Sequence, residues 1–569
     1  MLLTILTHRT LRLLACACYL CAFSGAAHAA IYYVAPNGSD AASGTAVENP
    51  MQTIQKAVQR AAPGDTVMLR AGTYREQVEV AKGGSVQQPI TISAYKAELP
   101  IIKGSDLVGG WEPHEGAIWK KTGWSVNSQQ VFVDFDEKQP VKPLQQIGMP
   151  SRFYKAFEYP KPVGRGLADM QPGSFYYDPA STTLYVWLFD GSDPNRHQME
   201  VSTRKSLIRI TAPYVNLHGL TFRHSNVSGF AQQGAAVELG AYSVMEACDV
   251  QWTDFAGVIM GYKQPGVQVI DSNISNNGNS GLNGPASYGF RISGVTLNGN
   301  NYRGFNPLWH AGGLKATTQA HGIVERSEVA FNKGSGIWFD YANSGEAIVI
   351  RNNYIHDNGP VDSAIFFEVS KNGHIYNNVL ANNARRGIYL SGSDDTRVYN
   401  NTLFGTRDYA GIELGGLPRA GATLTNNAVY NNIISHGSTR YDLVILPPNG
   451  ASIAGNQSDY NNIYRPNEPI RLTSGASFTD LNAWRNATRM DTRSISADPR
   501  FVFVSANPAS PVGTPGKADD LAVQPGSPVL GAGKRDEKKT GDADDVASTA
   551  SIGAFIGSPA QRRRGQPPK

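Results

Sequence analysis

The sequence predicts an all-β solenoid, a stack of coils whose core grows by repetition rather than by widening. Three observations carry that prediction. The first is a five-residue unit of small, apolar, variable, apolar and variable residues. It recurs as Gly313-Leu314-Lys315-Ala316-Thr317, Gly336-Ile337-Trp338-Phe339-Asp340, Ala364-Ile365-Phe366-Phe367-Glu368, Gly387-Ile388-Tyr389-Leu390-Ser391 and Gly411-Ile412-Glu413-Leu414-Gly415, with starts 23, 28, 23 and 24 residues apart. The second is a set of Asn-Asn pairs at 352–353, 377–378, 400–401 and 426–427, whose second members are 25, 23 and 26 residues apart. The third is composition: charged residues are 17% and glycines number 59 of 569, a balance that suits tight repeated turns better than helices. A length of 569 residues would ordinarily argue for several domains, but a repeat architecture removes that inference.

In chain order, residues 1–29 read as a secretory leader. Arg9 and Arg12 precede the apolar run Leu13 to Phe23, and Ala27-His28-Ala29 is a small-x-small cleavage site, so cleavage is expected after Ala29 and the mature chain in the periplasm or outside the cell. Cys16, Cys18 and Cys21 leave with it, and Cys248 alone remains, so no internal disulfide is expected. The 51 basic residues less Arg9 and Arg12, against 47 acidic ones, leave a net charge of about +2. So balanced a chain implies neither a nucleic-acid partner nor an anionic membrane.

Residues 30–110 read as an N-terminal cap and first coils. Ile31 to Val34 is a short strand, and Ile54, Ala57, Val58 and Ala61 lie on one helical face that stops at Pro63-Gly64. A lone amphipathic helix there would cover the open end of the first coil. Residues 111–200 lose the rhythm and read as an inserted antiparallel β module, with a hairpin of Phe175 to Asp178 and Leu184 to Asp190 joined through 179–183. Its Trp111, Trp119, Trp124 and Trp187 fit either a small β core or sugar-stacking platforms. Residues 201–500 read as the main solenoid, its regular coil fading beyond Ile445. Residues 501–558 read as a C-terminal flank, and 559–569, with Arg562-Arg563-Arg564, as a basic disordered tail. The Asn pairs suit a structural ladder, because one side-chain amide can bond the next at a strand spacing of roughly 4.8 Å, and because Asn tolerates left-handed turns.

The pleat phases the repeat. Ile337 and Phe339, Ile365 and Phe367, Ile388 and Leu390, and Ile412 and Leu414 must face inward, so their neighbours face outward. Lys315, Trp338, Phe366, Tyr389 and Glu413 then form one exposed column, with Thr317, Asp340, Glu368, Ser391 and Gly415 beside it. Asp340 and Glu368 fall at one position on successive coils, with carboxylates about 5 Å apart, which is the spacing of a retaining glycosidase pair. Two charges so close should raise one pKa, as a nucleophile with a general acid/base requires. The aromatic column offers apolar faces for sugar rings. The step of 28 residues between the two strands is a departure, attributed to an extended turn at Gly359-Pro360-Val361-Asp362-Ser363; a register change there would separate the pair. The plain alternative is that both acids are solvated positions of a repeat.

The opening pieces YYVAPNGSD, TIQKAV, PGDTVMLRAGTYRE and PITISAY resemble, in order, the start of secreted right-handed parallel β-helix carbohydrate-active enzymes. The strings GIWFD and, one coil later, AIFFE resemble the catalytic pair of the β-helix family of retaining β-xylosidases, which also carry an inserted β module. The resemblance implies a right-handed parallel β-helix, with Asp340 as nucleophile and Glu368 as acid/base. Lys315, Trp338, Phe366, Tyr389, Glu413, His310 and Trp309 are the candidate substrate-binding residues. No metal site is expected for a hydrolase. Lys315 also opens a second reading, a polysaccharide lyase in which a lysine abstracts the proton beside a uronate carboxyl and calcium neutralises the substrate. A non-catalytic glycan-binding protein is the third. Each takes a polysaccharide or oligosaccharide partner.

Overall fold

The computed structural model describes residues 29–140, 142–148, 162–227, 234–416, 423–446, 455–502, 517–534 and 551–554. The expected leader up to residue 28 and the basic tail lie outside the described residues. The chain winds through three long sheets of 13, 13 and 12 strands, parallel throughout except for the closing strand pair Leu472–Thr473 and Ser477–Phe478. One coil visits Ser335–Asp340, Ile348–Arg351 and Tyr354–His356 before returning to the first sheet at Ser363–Glu368. The phased apolar residues Ile337, Phe339, Ile365, Phe367, Ile388, Leu390, Ile412 and Leu414 are all fully buried, in a core running from Val34 to Trp484.

The expected N-terminal cap is present as helix α1 (Ile54–Arg60), whose first turn is closed by Thr53 Oγ1 accepting from the Lys56 N–H, and which buries Ile54, Ala57 and Val58. Between the coil strands Pro100–Lys103 and Ile208–Ile210 the chain leaves the solenoid to build two small sheets. The expected hairpin is there, Ser174–Asp178 against Thr183–Trp187 in antiparallel register. Trp111 is buried in the core of this region, and Trp119 and Trp124 pack against it, so packing accounts for all three. A buried ion cluster joins these small sheets to the solenoid: Glu200 accepts from Lys103 at 3.0 Å and from Arg75 at 3.1 Å, with Ser105 Oγ donating at 2.6 Å.

The Asn ladder forms, with one correction. Asn353 donates to Asn378 at 2.9 Å, and Asn378 to Asn401 at 3.0 Å, but the column continues to Asn432 rather than Asn427. The coil after Asn401 is longer than the coil before it, so the same dipeptide falls one corner earlier; Asn427 accepts from the Thr396 N–H and donates to Asn456. A second ladder links Asn277, Asn300, Asn332, Asn358 and Asn383. The first members, Asn352, Asn377, Asn400 and Asn426, take φ of 56°, 54°, 53° and 58°, the left-handed turn conformation that Asn tolerates.

The coil does not fade at Ile445. Strands Gln457–Asp459, Asn462–Tyr464 and Leu472–Thr473 extend all three sheets once more. Helix α2 (Leu481–Thr488) then closes the far end with Leu481 and Trp484 in the main core, an end cap the sequence reading did not foresee. Beyond it Phe501, Leu521, Val529 and Ile552 pack on the outside of the coils against Val379, Phe404 and Ile433. Cys248 is buried and free. Among the described residues no helix is long and apolar enough to cross a membrane.

Asn378→Ala removes both the acceptor of the Asn353 N–H and amide and the donor to Ile350 O and Asn401. Chemical denaturation should show a loss of about 2–4 kcal/mol, since several buried groups lose partners together. Asn377→Ala, which only places alanine in a left-handed turn, should cost about 1–2 kcal/mol.

Candidate active site

Strands Gly312–Thr317, Ser335–Asp340, Ser363–Glu368, Arg386–Ser391 and Arg407–Gly415 pair in strict parallel register. Lys315, Trp338, Phe366, Tyr389 and Glu413 are consecutive partners, and so are Thr317, Asp340, Glu368, Ser391 and Gly415. The 28-residue step leaves this register intact. Its extra length is shared between two turns, 341–347 where the next coil uses 369–372, and 357–362 where the next uses 382–385, rather than lying all in the second.

The first column points outward as expected but is not exposed. Lys315, Trp338, Phe366 and Glu413 are buried, with exposures of 6%, 3%, 7% and 4%, and Tyr389 is half-buried. The rings cover one another: Trp338 and Phe366 stack at 5.0 Å, and Phe366 and Tyr389 at 5.0 Å with planes 6° apart. A cation closes each end. Lys315 Nζ lies 3.3 Å from the Trp338 ring centre, and the Arg386 guanidinium 4.3 Å from that of Tyr389. Both faces of Phe366 are therefore occupied by neighbouring rings, which overturns the expectation that the column offers open faces to sugars. Arg386 also pairs with Glu413, whose carboxyl is raised by burial and held back by that guanidinium.

Lys315, Trp338, Asp340, Glu368, Trp309 and His310 do come together, around a cavity of about 380 Å³ also lined by Ile259, Asn283, Pro285, Leu308, Thr317, Thr318 and Tyr341. Phe366, Tyr389 and Glu413 are not in its lining. Lys315 Nζ donates to Asp340 Oδ2 at 3.1 Å and to the Trp309 carbonyl at 2.5 Å. Burial lowers the basicity of Lys315, and Asp340 and then Asp362 restore part of it. Asp340 Oδ1 is enclosed and has no hydrogen-bond partner, whereas Glu368 Oε2 accepts from Trp338 Nε1–H at 3.0 Å. His310 Nδ1 lies 2.9 Å from Asn279 Oδ1, and burial, with Lys315 second, pushes its pKa down to about 3.

The sequence reading missed Asn283 and the role of Asp362. Asn283 belongs to the same repeat, as Gly281-Leu282-Asn283-Gly284. It went unnoticed because 32 residues separate Gly281 from Gly313, where the chain detours through Trp309 and His310 to wall the cavity. Asp362 stands in the turn before Glu368's strand.

This geometry defines a right-handed parallel β-helix protein with an acidic cleft on one sheet. Residues 32–138 match the family described as Pel9A-like, right handed beta helix region, and residues 286–467 match right handed beta helix region. The chain is similar to the uncharacterized protein YwoF of Bacillus subtilis, 23% identical over 484 residues, covering 82% of this chain and 88% of YwoF. It is also 43% identical over 83 residues to pectate lyase PEL9 of Emericella nidulans, a match to 14% of this chain and only 20% of that enzyme. Among solved structures, the complex of XylC with xylose superposes with a TM-score of 0.53 at 14% identity, covering 84% of this chain and 88% of XylC, a likeness of fold.

Asp362 supplies a pH prediction. Burial pushes its carboxyl up to about 6, against roughly 3.9 in an unfolded chain. The folded protein then holds a proton that the unfolded chain has released, so this contribution to stability is full below about pH 4 and is lost as pH rises through about 6. Asp362→Asn should stabilise the protein by about 3 kcal/mol at pH 7.5 and leave it unchanged near pH 3.5, measured by thermal unfolding at both values.

Proposed function

We propose that the protein is an exported carbohydrate-active enzyme, a retaining glycoside hydrolase in which Asp340 is the nucleophile and Glu368 the acid/base. The observation that carries the reading is the register of these two residues on adjacent strands, at one end of the cleft. Neighbouring parallel strands put the carboxylates about 5 Å apart, the separation that lets one carboxylate reach the anomeric carbon while the other reaches the glycosidic oxygen. Their partners differ in kind. Asp340 Oδ2 faces an ammonium, which compensates its charge and favours the carboxylate; Glu368 receives a neutral indole donor. In the first step the Asp340 carboxylate bonds to the anomeric carbon as Glu368 gives its proton to the departing oxygen. In the second, Glu368 takes a proton from water, which displaces Asp340 and restores the configuration. Xylose as the bound sugar of XylC and the GIWFD and AIFFE resemblance point to xylosides as the first substrates to try.

One observation favours the lyase reading: a buried lysine of lowered basicity beside the acids. Against it, Lys315 already engages the Trp309 carbonyl, Asp340 and the Trp338 ring, so no direction of its nitrogen is reserved for substrate. Calcium does not fit the donor set. It takes six to eight oxygen ligands, several of them carboxylates, and here the Lys315 ammonium stands against Asp340 as its counter-charge.

Asp340→Asn should lower kcat/KM on aryl β-xylosides and related aryl glycosides by about 10³-fold or more, whereas Glu368→Gln should lower kcat on activated aryl glycosides and kcat/KM by a similar factor only where the leaving group needs protonation. Azide should restore turnover to Glu368→Ala with an activated leaving group, and proton NMR of the first product should show retained configuration. Inversion, or full activity in both variants, would overturn the assignment. Growth of unsaturated-uronate absorbance that Lys315→Gln abolishes would establish the lyase instead, and binding without turnover across a broad panel would leave a glycan-binding protein.

A further inference from the structure

The cleft is longer than the acid pair requires. Ile259, Asn283, Lys315 and Trp338 are consecutive register partners lining it, and beside them run Pro285, Thr317, Asp340 and Glu368. The lining thus spans five coils, and four steps of roughly 4.8 Å make its floor about 19 Å long. The acids occupy one end. The next residue in the first column, Phe366, is sandwiched between rings and adds nothing to the lining, so the space extends toward the N-terminal coils.

Two buried groups stand in that extension. Asn283 is 3% exposed; its Oδ1 accepts from Ser280 Oγ at 2.9 Å, and its Nδ2 is enclosed without a hydrogen-bond partner. A buried amide donor left unpaired is costly, and a native site keeps one where a ligand completes it. His310, 7% exposed, stays neutral because burial disfavours its charged form; with Nδ1–H directed at Asn279 Oδ1, its Nε2 is left as an acceptor. Ile259, Leu308 and Pro285 supply apolar walls around the pair. A donor, an acceptor and apolar walls match a sugar ring with its hydroxyls. The cation of the cleft, Lys315, is committed to Asp340 and Trp309 and gives a carboxylated sugar no counter-charge at this place.

We infer that Asn283 and His310 form a second sugar subsite, two coils from Asp340, that takes an uncharged residue and makes the substrate a neutral oligosaccharide chain of at least two units. The inference rests on the glycoside-hydrolase reading and names its substrate class. Asn283 Nδ2 donates to a sugar oxygen, and His310 Nε2 accepts from a hydroxyl.

Calorimetry on the full chain carrying Glu368→Gln tests it, with mono- to tetrasaccharides of xylose, arabinose, glucose and mannose beside oligogalacturonides. A neutral trisaccharide should bind about 10-fold or more tightly than its own monosaccharide, the effect of one good hydrogen-bonded contact. That ratio should fall toward one on adding Asn283→Ala or the near-isosteric Asn283→Asp, which keeps the shape should alanine perturb the fold. A ratio near one in the parent, a ratio retained in both variants, tightest binding to an oligogalacturonide, or no binding by any sugar of the panel would overturn the subsite. Failure of the underlying reading is seen separately: aryl-glycoside turnover with retention beside a ratio near one sinks only the subsite, whereas a chain-length gain without any turnover keeps the subsite and removes the hydrolase.

Discussion

In-register pairing between coils is the constraint on which everything else depends. A parallel strand has no freedom to slide by one residue, because doing so would turn its whole apolar set to the outside. The Asn ladders hold that register at the corners, each ladder amide both donating to the next coil and accepting from the one before. Insertions are consequently driven into the turns. The 28-residue coil absorbs its extra length in two of them and still presents Asp340 opposite Glu368.

Strict register also stacks like upon like, and the outward columns show how the chain manages it. Three aromatic side chains become a continuous stack that Lys315 and Arg386 close at its two ends. Each cation is in turn matched by a carboxylate, Asp340 for Lys315 and Glu413 for Arg386. The arrangement is a buried, charge-balanced rib beside the acids rather than a platform for substrate. A rib of this kind supports Trp338, whose indole N–H reaches Glu368, and Lys315, whose ammonium reaches Asp340, so both acids are oriented from the same side.

Much of the fold was legible from residues alone. The inward set, the capping helix α1, the hairpin near residue 180 and the two columns follow from period and pleat, which are local properties of a strand and its turn. Three of the misses share a cause. Asn427 in a different ladder, the coil continued past Ile445 and Asn283 in the cleft all lie beyond a turn or detour that changes the coil length, and periodicity carries no information across such a break. Helix α2 has no repeat to announce it; its part in the core depends on where the last coil leaves an open end.

By itself the sequence determined the solenoid, the phase of its strands and the adjacency of Asp340 and Glu368, because side-chain direction alternates along any strand whatever surrounds it. Only the tertiary structure decided depth. Whether an outward column meets water depends on segments far away in the chain, here the detour through Trp309 and His310 that walls the cleft, and on rings that spend their faces on each other. The pattern told which residues share a surface; the fold told which of them a ligand can reach.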